Sequence, residues 1–193
     1  MAKLSRASLW SLEEYAQQRP TFRTEVIAHK KNRRVGIGAN ATLCFEDELT
    51  MKYQVQEMLR TERIFEASGI EEELTAYNPL IPDGSNWKAT FLIEYPDVEE
   101  RRRKLAELGG VEHSVWVQVG NEEKVFAIAN EDMDRSTDGK AAAVHFLRFE
   151  LPEPVRAAVA SGEPITFGID HAGLSGAVTV AEAVRASLAA DLG

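Results

Sequence analysis

The apolar positions of the chain follow a helical period in its first part. Residues 5–19 carry apolar side chains on one face and predict a helix that begins at a serine cap. Pro20 breaks this run and suits the first turn of a second helix, in which Phe22 and Val26 would face inward. The basic run 29–34 then ends the second helix, either as a solvated terminus or as a site for an anion or a partner.

A period of two replaces the helical period in several later segments. Alternating residues with glycines between them predict a hairpin over 35–45, and a longer alternation predicts a strand over 87–95. Helices followed by a meander of strands predict an α+β fold, with N-terminal helices packed on a mostly antiparallel sheet and a C-terminal helix. The 193 residues suit a single domain. We expect 1–86 to be mainly helical with one hairpin and 87–193 to hold mainly antiparallel strands with short helices.

The stretch 51–66 predicts a helix whose apolar face is interrupted by a carboxylate. Its apolar residues follow the four-then-three spacing of one helical face: Met51, Val55, Met58 and Phe65. Glu62 takes the remaining position of that stripe. A buried lone carboxylate is costly enough that it takes up a proton or finds a cationic partner. If Glu62 is buried, it therefore predicts a polar site beneath this helix.

An imidazole interrupts the apolar face of a later strand in the same way. In the strand predicted over 141–151, His145 lies on the side that otherwise carries alanine, leucine and phenylalanine. If this side packs on the helix 51–66, His145 would meet Glu62. Three interpretations remain open: a catalytic acid–base pair, a structural hydrogen-bonded pair, or a Glu62 that lies at the hydrated edge of its helix.

The opposite face of the same helix concentrates hydrogen-bonding side chains. Tyr53, Glu57 and Arg60 lie there, and Glu57 and Arg60 have the spacing of a local ion pair. Gln56 and Arg63 add an amide and a guanidinium. This face is either solvated or forms the wall of a polar pocket or interface.

A loop over 77–87 contains two prolines, which fix their φ angles and stiffen it. It would rim a binding site to which Asn78 and Asp83 contribute polar contacts, or it is simply a well-formed turn. Arg148, on the strand 141–151, is a further candidate for holding an anion.

The charge of the chain is unevenly distributed. Residues 1–34 carry a net charge of +5 and the remainder carries −14, which gives −9 for the whole chain. An acidic body argues against general nucleic-acid binding. No apolar run approaches the length of about 20 residues that spans a bilayer, and no secretory signal is visible, so we expect a cytoplasmic protein without membrane association.

Recognisable cofactor motifs are absent from the sequence. The single cysteine, Cys44, excludes an internal disulfide, an iron–sulfur cluster or a thiolate zinc site held by this chain alone, and a buried inert thiol is expected. The four histidines lack metal-binding spacing, although a site assembled around Asp170 and His171 stays open. No phosphate-binding loop or nucleophile elbow occurs. We therefore predict no cofactor and no metal.

Several blocks of the chain resemble a bacterial family known only as a domain of unknown function. The similar blocks span nearly the whole chain: 9–35, 45–66, 74–97, 115–119 and 143–151. Genes of this family often lie beside genes for rubrerythrin-like proteins and for iron–sulfur proteins that resemble a heterodisulfide reductase subunit. The resemblance implies a cytoplasmic role near redox or peroxide metabolism. With one cysteine, an accessory role fits better than electron transfer.

Two functional hypotheses follow from these observations. The first is a non-catalytic binding or accessory protein whose partner is an iron–sulfur or rubrerythrin-like protein; its oligomeric state stays open. The second is a small cofactor-free enzyme in which Glu62 or Glu57 works with His145 as acid and base. The arginines that would hold an anionic substrate of that enzyme are Arg60, Arg63 and Arg148.

Overall fold

The computed structural model describes residues 3–131 and 139–193 and has an α+β fold. The helices are α1 (Leu12–Lys30), α2 (Glu48–Glu62), α3 (Ala67–Tyr77), α4 (Val98–Glu107), α5 (Glu153–Ala160) and α6 (Glu182–Ala189). The strands are β1 (Arg34–Ile37), β2 (Ala41–Phe45), β3 (Asn86–Ile93), β4 (Val115–Val119), β5 (Val125–Phe126), β6 (Ile128–Ala129), β7 (Val144–Glu150), β8 (Ile165–His171) and β9 (Leu174–Thr179). No helix of the described ranges is long and apolar enough to cross a membrane.

The strands form two antiparallel sheets. The five-stranded sheet has the order β1-β2-β3-β7-β6, and the four-stranded sheet has the order β5-β4-β8-β9. Only Ala127 separates β5 from β6, so the chain passes directly from one sheet to the other at this edge. The antiparallel arrangement is confirmed, whereas the prediction of one sheet missed this division because each half of the edge strand is two residues long.

Aromatic side chains from both sheets meet in the main core. The ring of Phe167 in β8 lies 4.9 Å from Phe45 in β2, 6.0 Å from Trp87 in β3 and 5.6 Å from Phe149 in β7. All four side chains are almost completely buried. The inner faces of the two sheets therefore form one apolar layer, as in other face-to-face sheet packings.

A separate layer of helices α1, α2 and α3 has its own smaller apolar clusters. Tyr15, Phe22 and Val26 of α1 pack against Trp10 and the α2 side, and a second cluster lies between α2 and α3. This layer covers part of the outer face of the five-stranded sheet, since Thr50 in α2 and Thr90 in β3 both donate to the carboxylate of Glu46. Polar contacts are therefore part of this layer interface.

Helix α1 corrects the prediction that Pro20 separates two helices. The helix runs without interruption through Pro20, because the buried side chains on both sides of it pack against the same neighbouring surface. A proline removes one intrahelical hydrogen bond, and tertiary packing outweighs that loss here. The helix begins at a capping box formed by Ser11 and Glu14.

Helix α2 begins and ends earlier than the helix predicted over 51–66, so the predicted bounds were wrong. It begins after Asp47, whose carboxylate caps the backbone of Thr50, and it ends before Arg63, which adopts a left-handed φ of 56°. The backbone N–H of Ile64 donates to Leu59 at 2.9 Å and completes this helix end. Phe65 therefore lies beyond the helix and is 74% exposed instead of continuing its apolar stripe.

A buried group of charges joins the end of α1 to α2 and to the C-terminal part of the chain. Arg33, 2% exposed, lies 2.5 Å from Asp191 and 3.3 Å from Asp47, and its guanidinium also donates to the carbonyls of Phe45 and Glu46. Asp47 simultaneously caps α2, so this guanidinium connects elements that are far apart in sequence. The strands after residue 86 follow the predicted order, and the single-domain assignment stays a prediction.

Candidate functional site

The structure does not form the predicted pair between Glu62 and His145. Glu62 is the exposed last residue of α2, and its carboxylate makes no hydrogen bond or ion pair to any described residue. His145 is fully buried on the inner face of β7, where its Nε2 lies 3.0 Å from the carbonyl of Ala142 and its ring lies 6.1 Å from Phe91. Glu62 belongs to the helical layer and His145 to the sheet core, so the interpretation of a hydrated Glu62 fits.

Glu57 is held as a carboxylate by two neighbours from α1. Arg19 donates to both of its oxygens, at 2.7 and 2.8 Å, and the hydroxyl of the buried Tyr15 donates at 2.7 Å. These hydrogen bonds, first of all those from Arg19, lower the pKa of Glu57 to about 2. At neutral pH Glu57 neither releases nor readily accepts a proton, and Arg19 replaces the predicted local partner Arg60, which is exposed.

The predicted binding residues Gln56 and Asn78 use their side-chain amides to bind backbone groups of the same chain. The buried amide of Gln56 accepts from the backbone N–H of Trp10 at 2.7 Å and donates to its carbonyl at 3.4 Å. Asn78 makes the same pair of contacts with Leu4, at 2.8 and 2.9 Å. The two amides therefore fasten the segment that precedes α1 onto the helical layer.

The remaining polar candidates have mainly structural contacts. Tyr53 packs 5.9 Å from the ring of Phe22. Asp83 accepts from the hydroxyl and backbone of Ser85, and these hydrogen bonds lower the pKa of Asp83. Arg148 forms a bidentate pair with Glu131 and also contacts Glu150.

The candidate metal ligands Asp170 and His171 and the thiol of Cys44 lie in strands, outside the helical layer. Asp170 pairs with Lys124 at 2.8 Å, and His171 accepts a backbone hydrogen bond from Gly173 through Nδ1. In the ranges 3–131 and 139–193 no group of three or more His, Cys, Asp or Glu side chains has the placement to hold a metal ion. Cys44 is half-buried, and this burial raises the pKa of its thiol.

An apolar groove opens where the segment before α1 crosses the ends of α2 and α3. We call it the Phe65 groove; it has a volume of about 480 Å³ and is lined mainly by Leu9, Trp10, Leu12, Leu59, Ile64, Phe65 and Ile70. The left-handed Arg63 directs Ile64 into the helical layer and leaves Phe65 at the rim. Sequence reasoning missed this groove, because it placed Phe65 on the buried stripe of a longer helix.

A second cavity lies between the helical layer and the outer face of the five-stranded sheet. This interlayer cavity has a volume of about 490 Å³ and is lined by Thr75, Ala76, Pro79, Leu80, Lys88, Glu131, Phe146, Leu147 and Arg148. The predicted stiff loop and the predicted Arg148 both contribute to it. Sequence analysis did not select Lys88 as a site residue, although its position on the outward face of the alternating strand could have indicated it.

These features define a class of α+β protein in which a small helical layer covers one face of a pair of packed antiparallel sheets. The chain belongs to the family described as a protein of unknown function (DUF3501), whose model matches residues 3–192. A solved structure of a novel protein of unknown function from Burkholderia pseudomallei is similar, with 49% sequence identity, a TM-score of 0.94 and 100% of each chain covered. No curated protein matches the chain.

Proposed function

We propose that this protein is a non-catalytic accessory protein that binds a partner protein through the Phe65 groove. The observation that carries this proposal is the 74% exposed ring of Phe65, which stands beside an apolar groove. The predicted acid and base residues support it indirectly, because Glu62 is hydrated, Glu57 is held ionised and His145 lies in the sheet core.

The groove has the chemical character of a protein-binding surface. Contiguous apolar surface next to polar residues is typical of interaction sites, and aromatic anchors supply much of the affinity of protein interfaces. The hydrogen bond from Ile64 to Leu59 fixes the turn that presents Phe65. Such preorganisation reduces the conformational entropy lost on binding.

The rim of the groove carries charges of both signs. Arg6 lines the groove, and Arg63 and Glu66 line an adjoining depression that shares Ile64 and Phe65 with it; all three charged residues are exposed. Rim charges of this kind orient a partner more than they hold it. The partner that we propose is an iron–sulfur or rubrerythrin-like protein of the cytoplasm, which would give the chain an accessory role in redox or peroxide metabolism.

The proposal is tested by measuring the affinity of the purified chain for recombinant iron–sulfur and rubrerythrin-like proteins from the same genome. We expect Phe65→Ser to weaken binding by about tenfold or more, because the aromatic anchor that the partner would bury is lost. Val98→Ser is the matched control, since Val98 is 58% exposed at the start of α4, outside the groove. Equal affinity of Phe65→Ser and the unaltered chain, or no binding at any salt concentration, would contradict the proposal.

A further inference from the structure

We infer that the interlayer cavity is a second, independent site, which binds a small monocarboxylate with an apolar tail through the ammonium group of Lys88. Its volume of about 490 Å³ lies in the range of small-molecule sites. Pro79, Leu80 and Phe146 supply apolar walls, while Lys88 and Arg148 bring cationic groups to the same space.

Lys88 and Arg148 lie directly opposite each other in the β3–β7 ladder. Arg148 is already neutralised, because Glu131 binds it at 2.9 and 2.7 Å and Glu150 contacts it as well. Lys88 differs: its Nζ donates to the carbonyl of Pro79 at 2.5 Å, and no carboxylate of the described residues forms an ion pair with it. Lys88 is therefore the cation whose charge a ligand would balance.

The surroundings of Lys88 make its ammonium form less stable than that of a fully hydrated lysine. Burial, first of all, lowers the pKa of Lys88; the charges of Arg148 and Lys3 act in the same direction, whereas the carboxylates of Asp83 and Glu131 oppose it. An anion bound at Nζ would reverse this effect, since it stabilises the ammonium form. Carboxylate binding and proton retention by Lys88 are thus linked.

The charges around the cavity select a singly charged ligand. Glu131 lines the cavity, and the carboxylate of Asp83 also acts on the ammonium group of Lys88. These two carboxylates oppose the additional charge of a dianion such as a phosphate monoester. An apolar tail would lie against Leu80 and Phe146, so amphipathic monocarboxylates fit the site best.

The experiment compares octanoate with octanol, which has the same tail length and no charge, by isothermal titration calorimetry. We expect octanoate to bind at one site and about tenfold more tightly than octanol, since a charge-assisted hydrogen bond is lost in the alcohol. Lys88→Met should remove this preference, and Lys88→Arg should retain it. Lys104→Met serves as the control, because Lys104 pairs with Glu107 on α4.

The affinity for octanoate should also fall as the pH rises through the lowered pKa of Lys88, and Lys88→Arg should remove that dependence. Thermal unfolding of each variant establishes that it is folded. Equal binding of octanoate and octanol, unchanged binding by Lys88→Met, or no octanoate binding at millimolar concentration would overturn the inference. Because Phe65 lies outside the cavity, Phe65→Ser should leave octanoate binding unchanged whatever the outcome for the Phe65 groove.

Discussion

Gln56 in α2 binds both backbone polar groups of Trp10 with its side-chain amide, at 2.7 and 3.4 Å. The two residues are 46 positions apart, and Gln56 is completely buried. The side-chain amide pairs with one backbone N–H and one carbonyl, as a neighbouring strand would. It thereby satisfies the polar groups of a backbone segment that belongs to no strand or helix. This contact helps to hold the segment that forms one wall of the Phe65 groove.

We expect Gln56→Ala to lower the free energy of unfolding by about 1–3 kcal/mol, because the backbone groups of Trp10 lose their partner in a half-buried place. Urea unfolding measures this loss, and hydrogen exchange should show faster exchange of the Trp10 amide. Gln54→Ala is the matched control on the same helix, where the half-buried Gln54 has no hydrogen-bond partner among the described residues. If both variants unfold alike, the amide of Gln56 does not fasten the segment.

The carboxylate of Glu57 makes the free energy of unfolding depend on pH in the acidic range. Its pKa of about 2 in the folded chain lies below the ordinary value of 4.5, so its stabilising contribution is present above about pH 5 and is lost as the pH falls towards 2. We expect this loss to be about 2 kcal/mol, which is less than the full pKa shift would give because Glu57 is partly hydrated. Glu57→Gln should flatten the corresponding part of the pH profile. Denaturant unfolding at a series of pH values measures it.

Glu62→Gln provides the comparison for this acid dependence. Glu62 lies five positions further along α2 and is exposed, without an ion pair to a described residue. Its replacement should leave the pH profile as it is in the unaltered chain. A profile that Glu57→Gln leaves unchanged would mean that Arg19 and Tyr15 do not hold the Glu57 carboxylate in solution.

Local sequence patterns predicted helices and strands, whereas contacts between distant segments determine the surroundings of the candidate site residues. The hairpin over 35–45 and the strand over 87–95 appear as β1, β2 and β3, because alternation reports directly on a sheet with one buried face. The end of α2 was not predictable in this way. Left-handed helix ends usually carry glycine, whereas Arg63 stands here, so the sequence gives no stop signal before Phe65.

The same limit applies to the candidate site. The sequence of the helix 51–66 shows many directional polar groups, but the partners of two of them come from distant segments: Arg19 and Tyr15 for Glu57, and Trp10 for Gln56. Spacing along one helix predicts its faces and carries no information about which segment covers each face. The role of Lys88 likewise required the strand register that places it opposite Arg148.

Arg33 is buried and its neighbour Arg34 is exposed, so replacing them should lower the free energy of unfolding by very different amounts. Arg33→Met should destabilise the chain by about 3 kcal/mol or more, because it leaves Asp191 and Asp47 without their buried cation. Arg34→Met should cost less than about 0.5 kcal/mol, since Arg34 and its partner Glu94 are both largely exposed. Urea unfolding of the two variants tests this, and similar midpoints would contradict a structural role for the Arg33 cluster.

Gly168 in β8 lies directly opposite Trp116 in β4, and the indole occupies the space that a side chain would need. A Cβ atom at Gly168 would lie 2.1 Å from the ring of Trp116, while Lys124 lies 3.8 Å from that ring and pairs with Asp170. We expect Gly168→Ala to lower the free energy of unfolding by about 1–3 kcal/mol, because the indole must move away from its contacts.

Gly36→Ala is the matched control for this substitution. Gly36 lies in β1, and a Cβ atom there would meet no other atom within 4 Å. This variant should be neutral or slightly stabilising, because alanine reduces the conformational freedom of the unfolded chain. Near-ultraviolet circular dichroism should change only for Gly168→Ala. A Gly168→Ala variant as stable as Gly36→Ala, with an unchanged aromatic signal, would mean that Trp116 does not pack over Gly168.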